Sequence, residues 1–351
     1  MWTINERMLN DMILRRRWLV NVENDAARRI AIILRELEQE LAGRIVTYLG
    51  SEDPATWLTA ARQSRILGDL QSSINDLFPR LQRDVESMVR DVAGVEADAL
   101  AARLGDALAQ LPENLPIFRV PENMLLKVVT NYLPRNASKG VLPMVERLDR
   151  LAPQTGQRVA RAFQTAVARG DGSAKIAAEV RKIIGPNSIT AHEAAALART
   201  QMQRVAGDVA RDFYHRNADV VGTVIDVAAL DKRTCLQCAA LDGKTYANGT
   251  EPPSPFHMQC RCFYAPGVKS WRQLGIRKDQ ATPEIRRLFD GKPPERQTYT
   301  DWLKGQDDGV QKQILGASRF DAYSAGKAGV ADFATDRRIL TVNEWRVRSA
   351  A

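Results

Sequence analysis

Apolar residues recur at helical spacing over much of the chain. Between Glu23 and Leu49, the side chains Ile30, Ile33, Leu34, Leu37, Leu41, Ile45 and Leu49 share one face, which predicts an amphipathic helix. The run Gly50-Ser51-Glu52-Asp53-Pro54 interrupts that pattern, with Ser51 or Asp53 placed to cap a next helix at Pro54. From 54 to 111 two or three helices are expected. Their stripes are Leu67, Leu70, Ile74, Leu77 and Leu81, then Leu100, Leu104, Leu108 and Leu111, and both read as packing core. The stretch from Pro112 to Pro121 holds three prolines in ten residues, which no helix survives, so it reads as a linker or extended arm. Helical spacing resumes from Glu122 to Gly185, with breaks expected near Pro134 and at Pro143 and Pro153, and with Ser173 capping a helix that ends at Ile184. A long helix then starts at Ser188 or Thr190. It carries Ala195, Ala198, Met202, Val205, Val209 and Phe213 as its apolar stripe.

The period changes at Val220. The run to Asp231 is β-branched and alternates, which predicts a strand. Beyond Pro266 the chain turns polar and basic. A short helix with a loop is expected over 282–297, a helical pair over Tyr299 to Phe320 joined near Asp308-Gly309, and a short apolar run at Ile339 to Val342. These elements predict a mainly α protein in which a helical N-terminal region precedes a helical part and a small α+β part. The expected divisions are 1–117, helical; 118–219, helical; 220–270, small α+β; and 271–351, helical and extended.

Composition narrows the class. The chain is 44% hydrophobic, 26% charged and only 6% aromatic, which fits a helical protein better than a β-sandwich. Apolar runs such as Val220 to Leu230 are too short to span a bilayer, so no membrane association is expected. The first residues lack an apolar stretch followed by a small-residue cleavage site, so a signal peptide is not expected and the thiols should stay reduced in the cytosol. The net charge of +8 is uneven. Residues 1–117 contain 14 Arg, no Lys and 18 acids, a balance of −4, and the remainder carries +12. That surplus is either a solvated basic surface or an attraction to nucleic acid or an acidic protein. The cluster Arg15-Arg16-Arg17 has the same two readings, a solvated helix face or a phosphate contact.

All four cysteines, with one of three histidines, fall in a single stretch from Asp231 to Pro266. The spacing is Cys235-x2-Cys238, then His257-x2-Cys260-x-Cys262, which gives five candidate ligands for one ion. Zinc takes four such ligands in a tetrahedron, and two intervening residues let both sulfurs of a CxxC face one ion. The expected set is Cys235, Cys238, His257 and Cys260, with Cys262 as substitute, because a strand would turn Cys260 and Cys262 to opposite faces. A structural zinc would fold this weakly apolar stretch directly. A disulfide and four free buried thiols remain alternatives, while a thioredoxin-type CxxC lacks its βαβ setting. Leu241 to Tyr246 reads as a hairpin-like turn around Asp242-Gly243. The four charged residues Asp231, Arg233, Asp242 and Arg261 are expected to form a charge-paired network that holds the knot, in preference to catalysis.

Enzymatic motifs fail on inspection. Gly243-Lys244-Thr245 ends like a phosphate-binding loop, but its first glycine would have to be Cys238. His192-Glu193 opens like a metalloprotease helix, but Ala196 stands where the second histidine belongs. No GxSxG elbow is present.

The residues Asp231, Arg233, Thr234, Cys235, Cys238, Leu241, Asp242, Gly243, His257, Cys260, Arg261 and Cys262 together resemble the hallmark of the phage head morphogenesis domain, the family of Mu F-like minor head proteins of tailed bacteriophages. Ala198-Arg199-Thr200 upstream also resembles the family, as do Tyr299, Trp302-Leu303, Leu315-Gly316, Leu340-Thr341 and Asn343-Glu344 downstream. The resemblance spans about 150–347. It implies a non-enzymatic minor head component in the virion, assembled in the host cytoplasm. Such a component is present in a few copies near the portal vertex and aids procapsid assembly beside the portal protein and the major capsid protein. The basic C-terminal part then suits double-stranded DNA or an acidic partner, and residues 1–117 suit protein docking. Two other functions are carried alongside: a zinc-stabilised nucleic-acid-binding protein, and an ADP-ribosyltransferase-type enzyme of the kind fused to some Mu F-like regions.

Overall fold

The computed structural model describes residues 2–50, 59–130, 144–335 and 338–350. The expected cap at Ser51 or Asp53 and the breaks near Pro134 and at Pro143 lie outside these residues. The first helix, α1, runs Ile4–Leu49 as one piece. It opens on a reciprocal cap. The Glu6 amide donates to Thr3 Oγ1, and the Thr3 amide donates to Glu6 Oε2. The predicted stripe from Ile30 to Leu49 is buried along its length.

A second long helix, α2, covers Ala60–Leu108. The expected two or three helices are therefore one, and Pro79 sits inside it. Ile74, Phe78, Leu81 and Val85 are all buried around that proline. Continuous packing of one face offsets the amide that proline cannot supply. Residues 114–121 are extended, as the prolines require, and α3 follows at Glu122–Thr130. Helix α4, Met144–Ala168, likewise runs through Pro153 rather than breaking there. Leu151 and Thr155 on either side are buried, and Thr155 Oγ1 lies 3.4 Å from Thr190 Oγ1. Helix α5, Ser173–Ile184, starts at Ser173, and its cap residue is Gly172, so the predicted serine cap is not made. Helix α6, Ile189–Arg216, is capped by Ser188, whose hydroxyl accepts from the Ala191 amide. Its predicted stripe is buried.

Strand β1, Val221–Val227, is the middle of a three-stranded antiparallel sheet with order β2-β1-β3. β2 is Thr245–Ala247 and β3 is Phe263–Val268. Between β1 and β2 lies the short helix α7, Leu236–Leu241, so Asp242-Gly243 joins a helix to a strand and is not a hairpin turn. The C-terminal part holds α8 at Pro283–Leu288, α9 at Tyr299–Lys304, α10 at Asp308–Leu315, α11 at Ala317–Ser324, a 3-10 turn at Val330–Phe333 and α12 at Val342–Ala350. The predicted pair over 299–320 is thus the start of three helices. A Thr298–Asp301 capping box opens the first, and Asp307 caps the second. Tyr299, Leu303, Leu315, Phe333 and Trp345 form one apolar cluster that also takes Leu236 and Ala239 of α7. Among the described residues no helix is long and apolar enough to cross a membrane.

The chain forms two compact units, each assembled from separated stretches. One comprises Leu19–Val92 and Val129–Met202, and the other Met1–Trp18, Ala93–Val128 and Gln203–Ala351. Among the described residues the first unit's elements are all helices, and the bidentate Arg158–Glu193 contact, at 2.8 and 3.0 Å, links α4 to α6. The second contains the sheet. There the first turns of α1 are tied to β3. The Asn5 carboxamide accepts from the Val268 amide at 2.7 Å and donates to the Lys292 carbonyl at 2.8 Å. Leu9 packs with Val227 and Ala265, and Tyr214 donates to the Tyr264 carbonyl at 3.3 Å.

Candidate metal centre

Cys235 is the cap residue of α7, in extended backbone, and its sulfur accepts from the Cys238 amide at 3.4 Å. That turn brings both CxxC sulfurs to one side. The second half of the site arrives on the loop before β3. His257 Nε2 lies 3.1 Å from Cys235 Sγ and 3.3 Å from Cys238 Sγ, while Cys238 Sγ lies 3.6 Å from Cys260 Sγ. Ligand atoms around a tetrahedral zinc, with bonds of about 2.0–2.3 Å, stand roughly 3.5–3.8 Å from one another, so these separations need only small adjustments. The other imidazole nitrogen, Nδ1, is 2.8 Å from the Met258 carbonyl. A proton held on Nδ1 by that carbonyl leaves the Nε2 lone pair facing the sulfurs, the arrangement of a metal-ligating histidine.

All five predicted ligands come together, in two overlapping groups. Cys235, Cys238 and His257 form one, and Cys238, Cys260 and Cys262 the other, with Cys238 common to both. Cys260 and Cys262 both enter the buried cluster with Cys238 and Ala228. They precede β3 instead of lying in it, so the alternation that was expected to turn one of them away does not apply. The four thiols are free.

The electrostatics match a crowded thiol site. The hydrogen bond from Cys238, followed by that from His257, holds Cys235 down to about 4. Bonds to the sulfurs of Cys235 and Cys260 raise His257 to about 11. Cys238 is pushed up by the sulfurs of Cys235 and then Cys260, and Cys262 is raised as well, while Cys260 is lowered, first by its bond to Cys238. A divalent cation would remove that competition, because each thiolate would then face positive charge.

The charged frame differs from the expected single network. Arg261 grips Asp231 with both terminal nitrogens, at 2.5 and 2.6 Å, and that guanidinium holds the Asp231 carboxyl below its ordinary range. Arg233 is exposed, 3.8 Å from Asp231. Asp242 belongs to neither. It is buried, and it accepts from the Ala228 amide, the Tyr299 amide and Arg296 Nη2, each at 2.7 Å. Arg296 lies 54 positions beyond Asp242, and no local pattern marks it. Gly243 follows in the left-handed region, φ +83°, where a side chain would be strained.

The arginine cluster on α1 also has an internal use. Arg15 pairs with buried Glu96 at 2.6 Å and stacks over Trp18, and Arg16 donates to the Cys260 carbonyl at 3.4 Å. Those two arginines are neither a solvated face nor a phosphate contact. Asp226, next to the last residue of β1, is a further residue that the sequence pattern did not single out. It is 1% exposed, and neither carboxyl oxygen has a hydrogen-bond partner. Burial, followed by the Cys260 and Asp242 charges, raises its pKa well above the carboxylate range. A lone Asp within a β-branched strand was the available signal.

Residues 157–265 match the family model of the phage Mu protein F like protein. This segment is Mu F-like. It begins within α4, includes α5, α6, β1, α7 and β2, and ends inside β3, so it takes in all five candidate ligands. The match points to a phage head morphogenesis protein. No curated protein and no solved structure matches the chain.

Proposed function

We propose that the chain is a minor head protein of a tailed phage, which acts without catalysis in procapsid assembly close to the portal. The observation that carries this reading is the position of the Cys/His cluster inside the Mu F-like segment, framed by the half-exposed Asp231–Arg261 pair and the buried Asp242–Arg296 pair. The five donors suit a structural zinc. Cys235, Cys238, His257 and Cys260 are the preferred ligands, and Cys262 is a neighbour able to substitute. In this reading the metal clamps α7 to the loop that leads into β3, and Asp231–Arg261 and Asp242–Arg296 brace the clamp from outside.

The partners proposed are the portal protein and the major capsid protein, with residues 1–117 contributing to docking and the basic C-terminal half facing double-stranded DNA. The first turns of α1 are tied to β3 through Asn5, so docking is assigned to exposed side chains of 1–117 and not to a detachable arm. Exposed substitutions are therefore the suitable test. Heads assembled with the wild-type chain and with Arg28→Glu/Arg80→Glu, both exposed, should be compared by quantitative mass spectrometry. The reading predicts a few copies per wild-type head and fewer with the variant. Absence of the wild-type chain from purified heads would refute the head role.

A further inference from the structure

The basic surplus of the sheet-containing part is concentrated in one place. Residues 203–351 hold 23 bases and 18 acids. The 24 residues from Lys269 to Lys292 alone hold seven bases against three acids, which is +4 of that +5. Six of the seven bases are exposed: Arg272, Arg277, Lys278, Arg286, Arg287 and Lys292. Two of them share one aromatic ring. The guanidinium of Arg272 is 5.0 Å from the centroid of Trp271, and that of Arg286 is 5.6 Å from it. Neither forms an ion pair with a carboxylate among the described residues. Nε and Nη2 of Arg286 donate instead to the Ala281 and Lys278 carbonyls, which fixes the group and leaves its charge uncompensated.

The platform beneath is tightly built. The Trp271 amide donates to the Phe289 carbonyl at 2.8 Å, and Leu274, Ile276, Ile285, Leu288 and Phe289 are buried behind it. Gly291 has φ +74°, and a Cβ there would stand 2.7 Å from Ser270 Cβ, so only glycine lets the segment fold back on itself. Asn5 holds the Lys292 carbonyl. The positive groups are thus displayed on a fixed scaffold.

We infer that the Trp271–Arg272–Arg286 face is a binding surface for the phosphate backbone of duplex DNA. Guanidinium forks stacked on an aromatic ring are weakly hydrated and match phosphate oxygens. No large apolar side chain of the segment is exposed, so it lacks the anchors that a protein partner would bury. Charge without apolar anchors suits a polyanion that is read without sequence preference. The inference rests on the DNA-facing half of the proposed function, and head incorporation can hold or fail independently of it.

The test uses the full-length protein and a labelled random-sequence duplex of about 20 base pairs, with binding followed by fluorescence anisotropy as salt is raised. The comparison is Arg272→Gln/Arg286→Gln, with Arg272→Gln alone as the variant that loses no hydrogen bond of the fold. The double variant should bind at least tenfold more weakly at about 50 mM salt, and its plot of log affinity against log salt should flatten by about 1.8, two phosphate contacts' worth. The single variant should lose about half of that slope. Absence of wild-type binding at about 20 mM salt, or unchanged slopes in both variants, would overturn the inference. So would tight binding of polyglutamate by a protein indifferent to DNA, because that result assigns the surface to an acidic protein. Incorporation of the same variants into heads, measured separately, distinguishes failure of this surface from failure of the head role.

Discussion

Asp242 accepts three hydrogen bonds from two stretches of chain, so one carboxylate ties the end of β1 to Arg296 and the start of α9. Its replacement by alanine leaves a nearly buried guanidinium without its counter-ion. A loss of roughly 3 kcal/mol of unfolding free energy is expected, on the scale measured when one partner of a buried pair is removed. Arg233→Ala should change stability by less than about 0.5 kcal/mol, because its pair is exposed. Urea denaturation of both variants checks the contrast. Asp226 gives a pH signature of opposite sense to a stabilising ion pair. Its folded pKa is raised, so any stability linked to the neutral carboxyl is complete below the unfolded value of about 3.9 and is lost as pH rises toward the folded value. Asp226→Asn removes that titration. The variant should gain stability over the parent progressively between about pH 4 and pH 7, read as a widening gap in urea midpoints. Parallel pH profiles would contradict it.

The helices themselves show what a one-dimensional pattern carries. Leu37, Leu41 and Ile45 of α1, and Val205, Val209 and Phe213 of α6, were legible as core because a 3.6-residue period is a local signal, and all are buried. The start of α6 near Ser188 was legible, as were the prolines of 112–121 as a stretch without helix. Pro153 misled, because it breaks the local hydrogen-bond ladder while its neighbours stay packed on both sides. Similar reasoning covers the site. CxxC and HxxCxC declare themselves by spacing, but the Asp242–Arg296 and Asn5–Val268 contacts join residues 54 and 263 positions apart and leave no mark on the sequence near either partner. The Asn5 contact makes a prediction at this scale. Asn5→Ala leaves the Val268 amide without its acceptor inside the core, so it should cost about 1–3 kcal/mol. Amide hydrogen exchange should show protection lost first in β3. Loss spread evenly over α1 instead would mean that the helix is not the fastening of that strand.

In the molecule as a whole, one local clamp orders a stretch with little apolar core of its own. Its buried apolar group consists of Ala228 and three cysteines, with Cys235 and Phe256 at the margin. Without a cation the five donors compete for protons, with Cys235 and Cys260 lowered and Cys238 raised. Structural zinc sites contribute apparent binding free energies of about 10–16 kcal/mol near neutral pH, ample to outweigh that competition. The most direct measurement is zinc content by elemental mass spectrometry on protein purified without chelator, beside Cys235→Ser/Cys238→Ser. The expected result is about one zinc per wild-type chain, near zero in the variant, and a wild-type melting temperature that falls when a strong chelator strips the metal. Wild-type protein that contains no zinc, takes up none when it is supplied, and melts at the same temperature with and without chelator would contradict it.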